Sequence, residues 1–491
     1  MNQSTIRIET DLLGQREIPA QAYWGVHTLR AVENFPITGT QIGSIPEFIT
    51  ALCKVKQAAA LTNAELGSLP FAKRDLILQV CDEIIAGQFH DQFVVDVIQG
   101  GAGTSTNMNV NEVIANRALE LMGHAKGEYT HLHPNDDVNA SQSTNDVYPT
   151  AVRIAVATLI DQLLEQMALL RVAYEAKSKE FSNILKMGRT QLQDAVPMTL
   201  GQEFSTYAVM LKEDEQRLRE AQALMYEINL GATAIGTGIN TDPAYAARVT
   251  EHLSSLVGNT LIKADNMIEA TQDTGAFVQV SGVLKRVAVK LSKVCNDLRL
   301  LSSGPQVGFG EINLPARQAG SSIMPGKVNP VIPEVVNQIA FEVVGNDIAV
   351  TMASEGGQLQ LNAFEPIMLW SLVKSIRHLA RGCETLRKHC VVGITANTEK
   401  LAQQVRQSAG LATALNPYIG YKNATKIACE AILTGRSVAD LVLEYGLLDP
   451  QKLEEILRPE VLTQPTAQPS KFSEANRHNC NTRPENIGLL G

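Results

Sequence analysis

Apolar residues spaced alternately four and three positions apart restrict one stretch of this chain to a long helix. Such a seam packs against other helices along its whole length, as in a helix bundle. Residues 302–305, Ser-Ser-Gly-Pro, then end the pattern. The seam consists of Val280, Leu284, Val287, Leu291, Val294, Leu298 and Leu301.

Three further stretches also predict long helices. Residues 199–229 and 331–354 contain no glycine or proline run that would end a helix early, and Pro333 is compatible with a first helical turn. The third stretch carries a second seam, made of Val152, Val156, Leu159, Leu163, Met167, Leu170 and Tyr174. With 491 residues, 45% of them hydrophobic, the chain can bury large cores. The sequence therefore predicts a mainly α fold.

Strand signals are few and short. They are confined mainly to the first residues and to Gly/Thr-rich links such as residues 231–238. That link lacks a preceding strand and the Gly-x-Gly-x-x-Gly order of a nucleotide loop, so it is predicted to be a tight turn between helices. From about Arg458 the chain is rich in Pro, Gln and Asn and is predicted to be weakly ordered.

The net charge limits the classes of binding partner that we expect for this chain. A formal net charge of −9 without a long block of Lys or Arg argues against nucleic acids and anionic membranes as partners. An anionic substrate would therefore need local cations, and Lys327 and Arg189 are the candidates.

The N-terminus lacks the apolar core of a signal peptide, and no apolar run is expected to span a bilayer, so the predicted location is the cytoplasm. The seven cysteines are odd in number, scattered and free of Cys-x-x-Cys pairs, as expected of reduced thiols. His131 and His133 lie beside Pro134, Asn135 and Asp136, which favours a polar loop over a metal site. We expect neither an essential metal nor an organic cofactor.

Residues 320–330, Gly-Ser-Ser-Ile-Met-Pro-Gly-Lys-Val-Asn-Pro, combine two hydroxyls, a cation and an amide between glycines. A loop of this kind can fold over a bound anion, with Lys327 neutralising a carboxylate and with Gly320 and Gly326 allowing backbone angles that other residues avoid. Composition alone would favour a flexible connector. We call residues 320–330 the signature loop.

Three other segments are dense in hydroxyls and amides, and each leads towards a helical stretch: residues 101–109, 141–146 and 186–194. The apolar spacing after the first places Thr104 to Asn107 around a helix N-terminus. Unpaired backbone N–H groups and the positive end of the helix dipole attract carboxylates there. Ordinary N-capping uses the same residue types and would explain any one segment taken alone.

Together, these four segments resemble the active-site segments of the fumarase/aspartase superfamily, in the family's order. The resemblance extends from residues 11–14 and 23–28 to residues 393–397 and 415–420. It implies a mixed, mostly helical N-terminal domain (1–141), a central bundle of long helices that forms the tetramer core (142–397) and a small helical C-terminal domain (398–470), followed by a weakly ordered tail (471–491). It also implies a homotetramer whose active sites each gather segments from three subunits.

Residues 311–315, Gln318-Ala319, residues 143–146 and 230–236 resemble the ammonia-lyase branch of the superfamily. The reaction implied is the reversible elimination of ammonia from L-aspartate, giving fumarate and ammonium. By resemblance, Ser321 is the base and Asn145 lies near the amino group. The residues implied around the β-carboxylate are Thr104, Ser143, Thr144 and Ser322, and those at the α-carboxylate are Thr190, Lys327 and Asn329.

One departure from the superfamily pattern bears on the reaction. Many members have His after the Arg-Thr pair, and fumarases couple it to a glutamate; here the positions are Gln191 and Glu334. Hydroxide needs an acid in order to leave, whereas an ammonium group already carries its proton, so Gln191 fits deamination better than dehydration. Gln191 could also simply contact the amine or shape the pocket. Glu334, which lacks a histidine partner here, could have no role beyond capping a helix. Two alternatives stay open: a fumarate hydratase, and a catalytically silent structural protein on the same fold.

Overall fold

The computed structural model describes residues 6–320 and 322–465, and it is built almost entirely from helices. Its α-helices are α1 Val26–Asn34, α2 Pro46–Glu65, α3 Phe71–Ile85, α4 Thr104–Leu121, α5 Thr144–Glu180, α6 Leu200–Ala223, α7 Tyr245–Val257, α8 Met267–Gln272, α9 Gly275–Leu301, α10 Val331–Glu355, α11 Glu365–His389, α12 Thr398–Gln407, α13 Leu411–Ile419, α14 Tyr421–Thr434, α15 Val438–Glu444, α16 Pro450–Ile456 and α17 Pro459–Leu462. A π-helical turn covers Pro134–Val138.

The strands are short and pair two by two. They are β1 Ile6–Asp11, β2 Gly14–Pro19, β3 Leu185–Thr190, β4 Gln193–Thr199, β5 Glu227–Ile228, β6 Ile262–Lys263, β7 Ile312–Asn313 and β8 Thr395–Ala396. β5 and β6 pair in parallel, whereas the β1–β2, β3–β4 and β7–β8 pairs are antiparallel. The hairpin at the start of the chain agrees with the sequence prediction, whereas the β3–β4 hairpin was not predicted.

The predicted long helices are confirmed. The first seam lies in α9, which ends at Leu301 as the Ser-Ser-Gly-Pro signal indicated, and the second lies in α5. The other two stretches form α6 and α10, with Pro333 in the first turn of α10. Residues 231–238 are turns, as predicted.

Helix α5 corrects one expectation. By length and composition it could cross a membrane, although no apolar run was expected to do so. However, 83% of its most apolar window is buried inside the protein, which identifies it as a core helix.

The chain divides into two compact units. Unit 1 contains the described residues of Met1–Val172, Val209–Arg299 and Ala316–Cys390, and unit 2 those of Ala173–Ala208, Leu300–Pro315 and Val391–Gly491. Within unit 2, α12 to α16 and Met187 surround one apolar core that includes Leu411, Leu415 and Ile427. The predicted three-domain division stays a prediction. Of the predicted tail, Pro459–Leu462 forms a short helix, and residues 466–491 lie outside the described residues.

In unit 1, a buried carboxylate fixes the conformation of residues 23–28. Glu112, on α4, accepts hydrogen bonds from the backbone N–H groups of Gly25, His27 and Thr28 and from the Thr28 hydroxyl, at 2.7–3.2 Å. These donors surround the start of α1, so Glu112 satisfies N–H groups that a helix leaves unpaired there. Burial raises the pKa of Glu112 to about 7.

Candidate active site

The first hydroxyl-rich segment forms a tight turn into α4. Gly101, Ala102 and Gly103 all have positive φ, and α4 begins at Thr104 as predicted. A Cβ on Gly103 would lie 2.2 Å from the ring of Tyr148, so only glycine allows this approach. The Thr104 hydroxyl donates to the carbonyl of Gly101 at 2.8 Å, and its side chain is exposed. The turn therefore presents a helix N-terminus to solvent.

The second segment caps α5 reciprocally. The Ser143 hydroxyl accepts from the backbone N–H of Asn145 at 3.2 Å, and Asp146 accepts from the backbone N–H of Ser143 at 2.9 Å. This arrangement is a capping box with aspartate in the acidic position. It fixes Ser143 and Thr144 at a second helix N-terminus.

Asp146 also binds the loop that follows β5. Its other carboxylate oxygen accepts from the N–H groups of Gly231 and Thr233 at 3.0 and 2.9 Å. The Asn145 amide donates to the carbonyl of Ala234 at 2.7 Å, which occupies one donor of a residue expected near the substrate amine. Burial raises the pKa of Asp146 to about 6, against the lowering effect of its three backbone hydrogen bonds.

A buried lysine joins the two helix N-termini. Lys56, on α2, is 0% exposed and donates to the side-chain oxygens of Asn107, Asn139 and Gln142 at 2.7–2.9 Å. Asn107 in turn donates to the hydroxyl of Thr144 at 3.2 Å. Burial lowers the pKa of Lys56 to about 7. We call residues 104–107 and 143–146, with Lys56 beneath them, the floor.

Lys56 was not predicted from the sequence. Its only sequence signal is a charged residue on the buried side of an alanine-rich helix, beside Cys53, Val55 and Ala59. A lysine that replaces an apolar residue within such a stripe has to find partners inside the protein, because an unpaired buried charge is costly.

The third segment is the β3–β4 hairpin of unit 2. Thr190 and Gln191 are exposed at its tip, and Gln191 and Leu192 both have positive φ, as a two-residue type I′ turn requires. Thr190 pairs with Gln193 across the turn. The hairpin therefore holds Thr190 and Gln191 in a fixed backbone conformation.

Arg189 is part of an ion-pair network. Its guanidinium forms an ion pair with the fully buried Glu311 and lies 4.3 Å from the centre of the Phe309 ring. Lys186 also pairs with Glu311, at 2.9 Å, and with Glu203. Glu311 thus balances part of the positive charge of Arg189 and Lys186, and the role of Arg189 as a local cation for an anionic substrate stays a prediction.

The signature loop is exposed in unit 1. Ser321 lies outside the described residues; Ser322 and Lys327 are exposed. The N–H of Gly320 donates to the carbonyl of Lys327 at 2.9 Å, and the Asn329 amide donates to the carbonyl of Gly320 at 3.3 Å. Gly326 has φ +80°, as expected. Gly320 has no positive φ and is needed instead for close packing, because a Cβ there would lie 2.4 Å from the Lys327 carbonyl oxygen.

The structure thus brings some of the predicted site residues together. The Asn107–Thr144 hydrogen bond joins the first two segments, so Ser143, Thr144 and Asn145 share the floor with Thr104. Ser322, Lys327 and Asn329 share the signature loop, whereas Thr190 and Gln191 belong to the hairpin of unit 2. The floor can bind a carboxylate through hydroxyls at helix N-termini, and the loop carries an exposed ammonium group.

His133 caps the π-helical turn. Its Nδ1 atom accepts from the backbone N–H groups of Asn135 and Asp136 at 3.1 and 3.2 Å. This geometry fits the polar loop predicted at this position.

Comparison with known proteins places this arrangement in a class. A family model described as lyase matches residues 14–345, and a model of the fumarase C C-terminus matches residues 411–464. The chain belongs to the fumarase/aspartase superfamily of lyases.

Within that class the chain is similar to the aspartate ammonia-lyase of Pseudomonas canavaninivorans, with 60% identity over 469 residues, covering 95% of this chain and 99% of the relative. A solved structure of a fumarate lyase (delta crystallin) from Brucella melitensis bound to cobalt has 54% identity and a TM-score of 0.91, covering 94% of this chain and 100% of that one. A class II fumarase from Schistosoma mansoni has 34% identity and a TM-score of 0.87, covering 92% of this chain and 98% of that one.

Proposed function

We propose that this protein catalyses the reversible elimination of ammonia from L-aspartate, giving fumarate and ammonium without an organic cofactor. The observation that carries the proposal is the 60% identity, over 95% of the chain, to an aspartate ammonia-lyase. The class II fumarase is much less similar, at 34% identity. Glutamine at position 191 also fits the loss of an amine better than the loss of hydroxide.

The reaction requires the floor to stabilise negative charge on the substrate. In L-aspartate the proton to be removed lies on the carbon next to the β-carboxylate, and its loss places a second negative charge on that carboxylate. Donors that are already oriented stabilise such an aci-carboxylate best, and removing one commonly costs about 10² to 10³ in rate. We assign Thr104, Ser143, Thr144 and Ser322 to this role.

Lys56 contributes to this charge stabilisation indirectly. It does not touch the proposed substrate, but its ammonium group is one side chain away from Thr144, through Asn107. Negative charge developing above the floor favours the protonated form of this lysine. Lys56 is therefore a positioning residue that also contributes positive potential.

The signature loop supplies the base and a cation. We assign proton abstraction to Ser321, whose alkoxide the loop has to stabilise as it closes over the substrate and excludes water. Lys327, with Thr190 and Asn329, binds the α-carboxylate, while Asn145 and Gln191 lie near the amine. The amine leaves as neutral ammonia, which needs no general acid.

We further propose that the protein works as a homotetramer in the cytoplasm, with each active site drawn from three subunits. Helix α10 exposes an apolar stripe that includes Phe341 (66% exposed), Ile348 (60%) and Met352 (60%). Exposed apolar residues aligned along one helix are typical of a protein–protein interface. The described cysteines are free thiols, as in a reducing compartment.

Two incubations test the reaction. Fumarate with ammonium should yield L-aspartate, and fumarate in ammonium-free buffer should yield no malate. Malate in the second incubation without aspartate in the first would establish the hydratase instead. Neither product, from protein shown to be folded and tetrameric, would favour the structural role.

Mixing two inactive variants tests the shared site. Ser321→Ala and Thr144→Val subunits, mixed after dissociation and reassembled, should recover part of the wild-type activity, because some sites would contain neither substitution. Each variant taken through the same cycle alone is the control. No recovery in mixed tetramers of confirmed composition would contradict a site built from several subunits.

A further inference from the structure

Three potential metal ligands meet at the end of α4. The ligating atoms of His124, Glu128 and His131 all lie within 4.8 Å of one another. Nδ1 of His124 lies 3.4 Å from the Glu128 carboxylate. The two imidazole rings stack with centroids 3.7 Å apart and planes 8° apart. Two imidazoles and a carboxylate thus converge outside the residues assigned to the substrate.

Backbone and side-chain hydrogen bonds hold the loop that carries these ligands. The N–H of His124 donates to the carbonyl of Leu119 at 2.9 Å, which ties the first ligand to the last turn of α4. The N–H of His131 donates to the carbonyl of Glu128 at 3.2 Å, which joins the other two.

Between the ligands, the loop is attached to α4 a second time. The N–H of Gly127 donates to the Asn116 side chain at 2.8 Å, and Asn116 also donates to the Tyr129 hydroxyl at 3.0 Å. The ligand backbones are therefore ordered before any ion binds, which reduces the entropy cost of binding.

We propose that His124, Glu128 and His131 form a binding site for a divalent transition-metal ion such as Zn²⁺. Two imidazole nitrogens and one carboxylate oxygen suit Zn²⁺ or Ni²⁺, whereas Mg²⁺ and Ca²⁺ prefer all-oxygen sites. The stacked rings have to tilt so that both nitrogens point at one ion. Glu128 and His131 are exposed, so the solvent side leaves room for that movement and for water ligands.

The site would act as a clamp. An ion held by all three side chains links the end of α4 to the segment before the π-helical turn, so it should stabilise the folded protein as any ligand specific to the native state does. None of the three residues is assigned to the reaction, and we expect elimination to proceed without the ion.

Titration of the full-length, metal-free protein with Zn²⁺, in competition with a chromophoric chelator, tests the proposal. Wild type should bind one Zn²⁺ per chain at this site, with excess Mg²⁺ unable to compete. His124→Ala and His131→Ala should each weaken binding at least about 100-fold, since a lost ligand costs more than the 10- to 100-fold effect of a lost outer partner. His252→Ala is the matched control, because His252 lies 3.0 Å from the carboxylate of Glu65 but the described part of the chain provides no third ligand there.

A second readout separates this site from the lyase reaction. Zn²⁺ should raise the thermal unfolding midpoint of wild type and of His252→Ala but not of the His124→Ala/His131→Ala double variant, and the double variant should keep wild-type activity in metal-free buffer. Unchanged Zn²⁺ binding in the double variant, an equal loss in His252→Ala, or no saturable binding by wild type would overturn the proposal.

Discussion

The floor and the signature loop carry similar residue types but differ in how the fold holds them. In the floor, Lys56 and Asp146 are 0% exposed, and each makes three hydrogen bonds that fix the segments around it. In the loop, Ile323 is 83% exposed, and Ser322 and Lys327 lie at the surface. Hydrogen bonds within a single chain therefore fix the floor residues in place, whereas the described side chains at the tip of the loop are exposed.

This difference separates two kinds of substitution. Substitutions of the buried floor residues should lower stability and activity together, because the same hydrogen bonds position the donors and hold the fold. Changes to exposed loop residues should cost activity alone.

The largest effect is expected from Lys327→Met. Losing the cation that we assign to the α-carboxylate should lower kcat/KM for L-aspartate by about 10³-fold, within the range for truncating a buried charge pair. The free energy of unfolding should stay within about 0.5 kcal/mol of wild type, as for most surface changes. Lys422→Met, on the exposed side of α14, is the control and should change neither quantity. Activity within tenfold of wild type would remove Lys327 from the site.

Asp146→Asn should lower the stability of the protein as well as its activity. The amide would place an NH₂ group opposite the N–H groups of Gly231 and Thr233, or opposite that of Ser143, so at least one charge-assisted hydrogen bond is lost. We expect the free energy of unfolding to fall by about 3 kcal/mol, with lower activity, as measured by urea unfolding at fixed protein concentration. The exposed Asp75→Asn should change stability by less than about 0.5 kcal/mol. Equal stability of the two variants would mean that Asp146 does not hold the floor.

A smaller effect is expected for Lys56→Met, in the pH dependence of protein stability. Its pKa is about 7 in the folded protein and about 10.4 when unfolded, so the unfolded state binds more protons between these values and stability rises with pH there. The stability difference between wild type and Lys56→Met should therefore grow by about 2 kcal/mol from pH 7.5 to pH 9.5. Lys54→Met, its neighbour on α2, controls for the loss of a lysine from that helix. Parallel pH profiles for wild type and Lys56→Met would contradict the burial of this ammonium group.

Much of the fold followed from local patterns. The seams of α5 and α9 repeat over many turns, and the start of α5 carries a hydroxyl and an acidic residue, Ser143 and Asp146, that cap the helix by local bonds. The β3–β4 hairpin escaped prediction because Gln191 and Leu192 adopt positive φ without the Gly or Asn that usually signals such a turn.

The parts of the site that escaped prediction depend on residues far apart in sequence. The role of Lys56 rests on bonds to Asn107, Asn139 and Gln142, and the ion pair of Arg189 rests on Glu311, more than a hundred residues away. A sequence shows that such residues are charged, but only the fold shows which partner each one meets.

The most direct test compares binding and turnover in Ser321→Ala. L-Aspartate binding, measured by calorimetry, should stay within about threefold of wild type, because Ser321 is assigned to chemistry and the floor is unchanged. Formation of fumarate, followed by its ultraviolet absorbance, should fall by at least about 10³-fold in a folded tetramer, since residues that act as a catalytic unit show losses of this size or larger. Fumarate formation within tenfold of wild type would contradict the claim that the floor binds the substrate while the loop supplies the base.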